Sequence, residues 1–571
     1  MSTNFVKYGL WADYNRSPIS RYQILLTDWW AGILTNALAV LITSAGRPLF
    51  TLTVGLYNWL WRKISSRWTN IQAASLQDAR DTQESIGIIL EPIRHGGFAN
   101  VPLGGPPIGR TKEAIEIIGT GAMVLIVLGL PVMLITASIV SAGLATDTTA
   151  LSNAYTCGKY EHRLPNSSDI LLEYDHKAEV EANMYAIDCY GTSPLVENCN
   201  RFYSQNITYT VNSAGCPFKG NVCGESQNGS IRLSTGLTSG SVLGINAKNP
   251  YFFSRTMICS PLVTDEEYVG IGLSSRGEKQ WEYWYGSSLS NYTWVNPVQK
   301  SPWEIKGYST SIHWWDPIAP QSPFHPLDEF TAGPYPVTLN FISSHAIYYH
   351  NFRNDSVFPA QTKARFADGY PGPDLYYNNS TRAGVLGCVD QYQICESING
   401  PCSAGSTQFT GSEALDAQSK LNHMLSMQLA DEQWKVEAEK MFQTSLARMQ
   451  INLFDFVRGT AAGYPGAYNT LPPEHRGMCA MVEIPTVGWR NVNLVGFLGT
   501  IAALGVVWGV SRKRKDASGE EILVVTIIYN SLVRIVVFIW RDIFRPVGVL
   551  FGKLFISIVL EPLRNFMLKS V

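Results

Sequence analysis

The reading of this chain turns on Ile117–Leu144, IIGTGAMVLIVLGLPVMLITASIVSAGL, and its counterpart Val492–Val510, VNLVGFLGTIAALGVVWGV. The first runs 28 residues without a charge. At about 1.5 Å per residue that is ample to cross a hydrocarbon core of about 30 Å. Gly129 and Pro131 predict a kink near its middle, which partner helices tolerate. The second is shorter, and Gly499, Ala503, Gly505 and Gly509 give it small residues that allow another helix close approach. Arg110 and Lys112 precede the first stretch, and Arg512, Lys513, Arg514 and Lys515 follow the second. Basic residues stay on the cytosolic side, so both flanks predict the same threading, with the intervening chain outside or lumenal.

That intervening chain holds all ten cysteines: Cys157, Cys189, Cys199, Cys216, Cys223, Cys259, Cys388, Cys395, Cys402 and Cys479. None has the CxxC spacing of a zinc or redox site, and ten thiols confined to one translocated segment predict up to five structural disulfides. Local pairing of Cys216 with Cys223, and among Cys388, Cys395 and Cys402, is the natural first expectation because these lie seven residues apart. The full connectivity is not fixed by the sequence. The same stretch carries the N-x-Ser/Thr acceptors Asn166, Asn206, Asn228, Asn291 and Asn354, with Asn378 and Asn379 overlapping. Asn15 also fits the pattern, but Pro18 hinders it. Cysteines and acceptors together point to an oxidising, glycosylating compartment.

The formal net charge of −2 is spread without long acidic or basic blocks, which argues against a nucleic-acid partner. A hydrophobic content of 46% is too low for a carrier of a dozen spans. The fold class expected is a membrane protein: two firm transmembrane helices flanking a disulfide-bonded, mainly β ectodomain with a C-terminal long-helix portion, and amphipathic or hairpin membrane segments at both ends. In order, 1–62 reads as a tail and membrane-associated apolar segment, and 63–116 as a cytosolic helix and Gly/Pro linker. The segment 117–144 reads as a transmembrane helix, 145–410 as a Cys-rich β ectodomain, and 411–490 as a helical part with a juxtamembrane collar. A second transmembrane helix at 491–510 precedes a basic stop-transfer and amphipathic segment at 511–571. Within 24–61 a membrane hairpin and a pair of interfacial helices both fit, with Trp29, Trp30, Trp59 and Trp61 at headgroup level. Arg534, Arg541 and Arg545 lie on one helical face near the other end, as an interfacial basic helix requires.

Strand signals fill the ectodomain up to about Cys402, as in Asn206-Ile-Thr-Tyr-Thr-Val211 and Val337-Thr-Leu-Asn-Phe341. From Ser412 to Val457 the composition turns to Ala, Leu, Met, Gln, Glu and Lys. Leu421, Leu425, Leu429, Met441, Leu446 and Met449 there predict one long helix or two in series.

Chemistry has few candidates. His313, Asp316, His325, His345 and His350, with Asp328 and Glu329, are the right types for a metal or an acid/base site. The spacing weighs against it, since His345 and His350, five apart on a strand, would point to opposite faces. The aromatic run Trp281, Tyr283, Trp284 and Tyr285, with Trp294 and Trp303, suits either a sugar-stacking surface or a sandwich core, and the core is the commoner use. Gly104–Thr111 approaches a phosphate loop, but Arg110 stands where Lys is needed and Pro106 and Pro107 remove backbone donors. No cofactor or bound metal is expected.

The motifs Gly215-Cys-Pro-Phe-Lys-Gly-Asn-Val-Cys223, Ser230-Ile-Arg-Leu-Ser-Thr-Gly236, Arg255-Thr-Met-Ile-Cys-Ser-Pro-Leu262 and Val385-Leu-Gly-Cys-Val-Asp-Gln-Tyr-Gln-Ile-Cys395 resemble a group of uncharacterised multi-pass membrane proteins of filamentous ascomycetes. The resemblance covers mainly the first apolar stretch and the ectodomain. Some members lie beside secondary-metabolite genes, which implies a role near such a pathway. The expectation is an integral membrane glycoprotein of the plasma membrane or an endomembrane, acting as an accessory or ligand-binding protein of fungal secondary metabolism. Its partners would be the lipid bilayer and a small apolar ligand or a partner membrane protein. The alternatives are a lumenal enzyme acting on an apolar metabolite, with His313–His350 as the place to look, and a cell-surface sensor or adhesin.

Overall fold

The computed structural model describes residues 6–18, 20–46, 48–49, 145–146, 149–153, 157–160, 167–191, 198–224, 229–287, 294–298, 307–317, 324–345, 347–364, 374–405, 415–459, 468–470 and 473–512. The chain divides into two units: Met1, Lys7–Ala150 and Thr486–Val571 form one, and Ser2–Val6 with Leu151–Pro485 the other. The described helices, in chain order, are α1 (Asp28–Ser44), α2 (Ser167–Cys189), α3 (Asp416–Ser419), α4 (Gln433–Arg458) and α5 (Leu494–Arg512).

In the first unit, strands run in the order Gly9–Ala12, Tyr22–Thr27, Trp489–Asn493 and Ala145–Thr146, each antiparallel to its neighbour. Ile24, Leu26, Ala31 and Val492 form its core, with Leu494 and Phe497 packed against them. This arrangement corrects the membrane reading. The start of the span expected at 491–510 is a strand, with Val492 only 1% exposed against Ile24 and Leu26, and α5 begins after it. The apolar run at Ile24–Thr27, expected in a membrane segment, is also a buried strand. Ile24, Leu26 and Val492 are apolar because they fill a sheet core, a pattern that windowed hydropathy does not separate from lipid contact. Among the described residues, no helix is long and apolar enough to cross a membrane. The expected fold class of two firm transmembrane helices, and the multi-pass membrane localisation that rested on it, are therefore set aside in favour of a mainly β, disulfide-bonded chain. The stretch expected to span at 117–144 lies outside the described residues, as do 63–116, Gly104–Thr111 and 513–571.

The second unit is built on one long antiparallel sheet, in the order Ser309–Trp315, Val337–Ser343, Gly384–Cys395, Phe252–Pro261, Ser230–Ser239 and Thr210–Ala214. Cys402–Gly405 pairs with the far end of Gly384–Cys395. Side chains alternate across this sheet as the pleat requires. Leu386, Cys388, Met257, Cys259 and Leu233 face one core, which α2 and α4 cover; Val385, Val389, Val337, Leu339 and Phe341 face the other. A smaller sheet, Trp294–Pro297, Lys279–Tyr283 and Val269–Leu273, lends Trp281, Tyr283 and Val269 to that second core. With both faces covered, all seven residues of Val337–Ser343 are buried.

α2 is a helix where strands are predicted. Tyr174, Ala178, Ala182, Tyr185, Ala186 and Cys189 form its buried stripe, and the alanines at four-residue spacing allow α4 to approach closely. Of the one long helix or two in series predicted over Ser412–Val457, the structure forms the single turn α3 and, from Gln433, the long helix α4. Upstream, Leu421–Asn422 and Leu425–Ser426 pair as a tiny hairpin, turned by His423 at φ 58°, a left-handed conformation that no helix accommodates.

Five disulfides use all ten cysteines. Cys216–Cys223 and Cys395–Cys402 pair locally as expected. Cys388 departs from local pairing because strand register sets it directly opposite Cys259. Cys189–Cys199 closes a short loop, and Cys157–Cys479 spans 322 residues.

Candidate functional site

A surface cleft of the second unit is assembled from four pieces of chain. Gln450, Leu453 and Phe454 come from α4; Phe202, Tyr203 and Ser204 follow the Cys189–Cys199 bridge; Val242 and Leu243 end a 3-10 turn; Val482–Pro485 complete it. It is shallow: its ≈ 290 Å³ of empty space includes open solvent, and the space open to the centre of a water-sized sphere is ≈ 20 Å³, room for about one water molecule. Each piece is held independently. Phe202 packs edge-on against Tyr185 and Phe454, at 4.7 and 5.7 Å between centroids, and Arg201 lies over both phenyl rings and pairs with Glu181. The 3-10 turn is capped by the Ser239 hydroxyl, which accepts from Ser241 N. It ends at Gly244, with φ 81°. A Cβ at Gly244 would come within 2.7 Å of the Glu483 carbonyl oxygen and 3.0 Å of Tyr203 Cβ, so position 244 admits only glycine without movement. The Glu483 amide donates to the Gly244 carbonyl at 2.7 Å, and Cys479, three residues before Val482, is tied to Cys157.

The cleft lining is mostly apolar, and of its polar side chains Glu483 is buried and Gln450 is engaged at both ends of its amide. Gln450 Oε1 accepts from the Tyr190 hydroxyl at 3.0 Å, and its Nε2 donates to the Ser204 carbonyl at 2.8 Å. The Ile207 amide donates to the same Tyr190 oxygen, whose proton burial holds far above the usual tyrosine range. The arrangement offers mainly dispersion contact and shape, with Glu483 as the one carboxylate in the lining.

No family model matches the chain, and neither does a curated protein or a solved structure. Residue roles must therefore come from the geometry alone.

The histidines singled out in the sequence do not converge. His313 lies on the edge strand Ser309–Trp315, its ring 5.3 Å from Phe324 and 5.5 Å from Phe341, with Nε2 3.2 Å from Ser311 Oγ. Burial lowers its pKa. Among the described residues no carboxylate is hydrogen-bonded to it, so the Ser311–His313 contact lacks the third group that orients a catalytic base. Asp316 is buried, His325 and His345 are half-buried, and His350 is exposed. Asp328 pairs with Lys219 at 2.8 Å, which holds its carboxyl below the usual range. Among the described residues, no group of three His, Cys, Asp or Glu side chains could hold a metal ion. The aromatic run is core: Tyr283 and Tyr285 are fully buried and stack around Phe341 and Phe330. Trp303 lies outside the described residues.

A strongly perturbed carboxyl and amine sit elsewhere, on α4. Glu437 is fully buried, accepting from Asp416 N, Ala417 N and Gln433 Nε2 at 2.7, 2.8 and 2.8 Å. Desolvation outweighs these three bonds and lifts its pKa to about 7. One turn on, Lys440 donates to the Asn183 carbonyl and is lowered by burial to about 8. Asp355 accepts from Val357 N, Phe358 N and Trp434 N, tying the start of α4 to a distant loop, and burial raises it too. Glu437 and Asp355 accept from amides at helix starts, Lys440 joins α4 to α2, and none of the three lines the cleft described above, so their shifts report structural burial. The signal for Glu437 lay in spacing. It falls three residues after Trp434 and four before Met441, inside the apolar stripe of the helix.

Of the glycan acceptors, Asn206, Asn354 and Asn379 are exposed and Asn378 is buried; Asn166, Asn228 and Asn291 lie outside the described residues.

Proposed function

We propose that this protein is a non-catalytic, disulfide-locked accessory or binding protein that takes a small apolar ligand across the apolar mouth of the shallow cleft between α4 and Val482–Pro485. The observation that carries the reading is the lining of that cleft. Phe202, Val242, Leu243, Phe454, Val482 and Ile484 converge there, while the amide of Gln450 is spent on internal bonds. Ligand sites are concave and mostly apolar with few polar groups, whereas an enzyme needs titratable groups converging on the cavity. The perturbed Glu437 and Lys440 lie outside the cleft lining, whose one carboxylate is Glu483. Five disulfides support work in an oxidising compartment. The resemblance to fungal proteins encoded near secondary-metabolite genes favours a metabolite of that kind as the ligand.

The test is a fluorescence titration of the full-length oxidised protein with anilinonaphthalene sulfonate, repeated on Leu243→Trp, which fills the cleft. Saturable binding that Leu243→Trp weakens at least tenfold, with the thermal midpoint unchanged, is the expected result. Binding that is absent, or equal in the two proteins, overturns the reading.

A further inference from the structure

We propose that Asn379, and not its neighbour Asn378, is the N-glycosylation site of the overlapping acceptor pair. Both fit the sequence pattern, Asn378 through Ser380 and Asn379 through Thr381. The folded chain treats them oppositely. Asn378 is 5% exposed and all its side-chain polar atoms have internal partners. Its Oδ1 accepts from the Ser380 amide and hydroxyl, both at 3.0 Å, and its Nδ2 donates to the Arg382 carbonyl at 3.2 Å. This is an Asx turn, in which the asparagine side chain does the work of a backbone turn. The next residues lock the turn onto the small sheet. Thr381 takes a left-handed φ of 55°, and its Oγ1 accepts from Trp281 Nε1 at 2.9 Å. The Arg382 guanidinium lies 4.7 Å from the Trp281 ring and donates to the Thr264 carbonyl at 3.1 Å. Asn379 rides exposed on the outside of this turn.

Glycan transfer happens on the Asn side-chain nitrogen. The Nδ2 of Asn379 bonds to the anomeric carbon of a lipid-linked oligosaccharide, that carbon's bond to the lipid diphosphate breaks, the diphosphate leaves, and the amide gives up one proton. A sugar on Asn379 Nδ2 projects into solvent and leaves the turn intact. On Asn378 Nδ2 it would have to occupy space the protein fills, and the Asx turn would open. A chain glycosylated at Asn378 therefore cannot close this corner of the domain.

The experiment secretes the full chain from a eukaryotic host and removes its glycans enzymatically in ¹⁸O water, which marks each used asparagine as labelled aspartate. The tryptic peptide Phe366–Arg382 contains both candidates, and fragment ions separate them. The expected result is label on Asn379 alone. Label on Asn378, on both residues, or on neither while Asn206 and Asn354 are labelled overturns the proposal, as does a wholly unglycosylated protein. Two variants check the assignment by gel shift. Ser380→Ala removes only the Asn378 acceptor pattern and should leave the glycan count unchanged. Thr381→Ser, which keeps the Asn379 pattern, should also leave it unchanged, whereas Thr381→Ala should lose one glycan. A glycan lost in Ser380→Ala and kept in Thr381→Ala reverses the assignment.

Discussion

Replacing Glu437 by Gln should remove a large part of the pH dependence of stability. Burial raises the folded pKa of this carboxyl from 4.5 to about 7, although three N–H groups donate to it. Between those values the native protein holds the proton that the unfolded chain has released. Stability is therefore greatest below the unfolded pKa and declines as pH rises through the folded one. The difference of about 2.5 pH units corresponds to roughly 3 kcal/mol at about 1.4 kcal/mol per unit. Full burial means solvent screening does not reduce it. Asp355 and Asp455 are shifted upward by burial too, so the wild-type slope alone does not isolate Glu437. The informative quantity is wild type minus Glu437→Gln, from urea unfolding of the oxidised protein at pH 5 and pH 7.5. That difference should change by about 2 to 3 kcal/mol in favour of the variant as pH rises. A difference constant to within about 0.5 kcal/mol would refute the claim that desolvation dominates this site.

Gly244→Ala should lower stability by about 2 kcal/mol or more, since it adds a left-handed penalty to a 2.7 Å approach to the Glu483 oxygen; the same variant should weaken dye binding, and an unchanged thermal midpoint would contradict the packing described. Serine replacement of Cys157 and Cys479 should cost about 5 kcal/mol by chain entropy, against about 2 for Cys395 and Cys402, because the bridges span 322 and 7 residues. Equal losses in chemical denaturation would count against that account. Asp390→Asn should cost about 3 to 5 kcal/mol, because it strips the counter-charge from Arg255, which is 1% exposed and bonded to Asp390 at 3.1 and 3.3 Å beneath Phe442. A loss under about 1 kcal/mol would mean that the interior rehydrates around the guanidinium.

The span expected at 491–510 shows what hydropathy alone does not distinguish. A run such as Val492–Val510 is apolar whether lipid or protein surrounds it, and hydropathy averages over the difference. Only pairing of Trp489–Asn493 with Tyr22–Thr27, 462 residues away between Asp28 and Arg490, shows that its first residues belong to a sheet. α2 was missed for a related reason: its buried stripe is built of alanine and tyrosine, so its apolar periodicity is weak until α4 supplies the opposite surface.

The sequence by itself determined what is local. It marked the framework cysteines, the acceptor asparagines, the β-rich character between Cys157 and Cys402, and two of the five bridges, because each depends on residue type or short spacing. It also placed Trp281, Tyr283 and Tyr285 correctly as core, since large aromatics are most often buried. Tertiary structure decided the rest. The Cys259–Cys388 and Cys157–Cys479 bridges, the cleft under Gly244, the buried Glu437 and the different exposure of Asn378 and Asn379 each depend on which distant segments lie side by side. Register is set by cooperative packing of the whole sheet, and no window of neighbouring residues contains it.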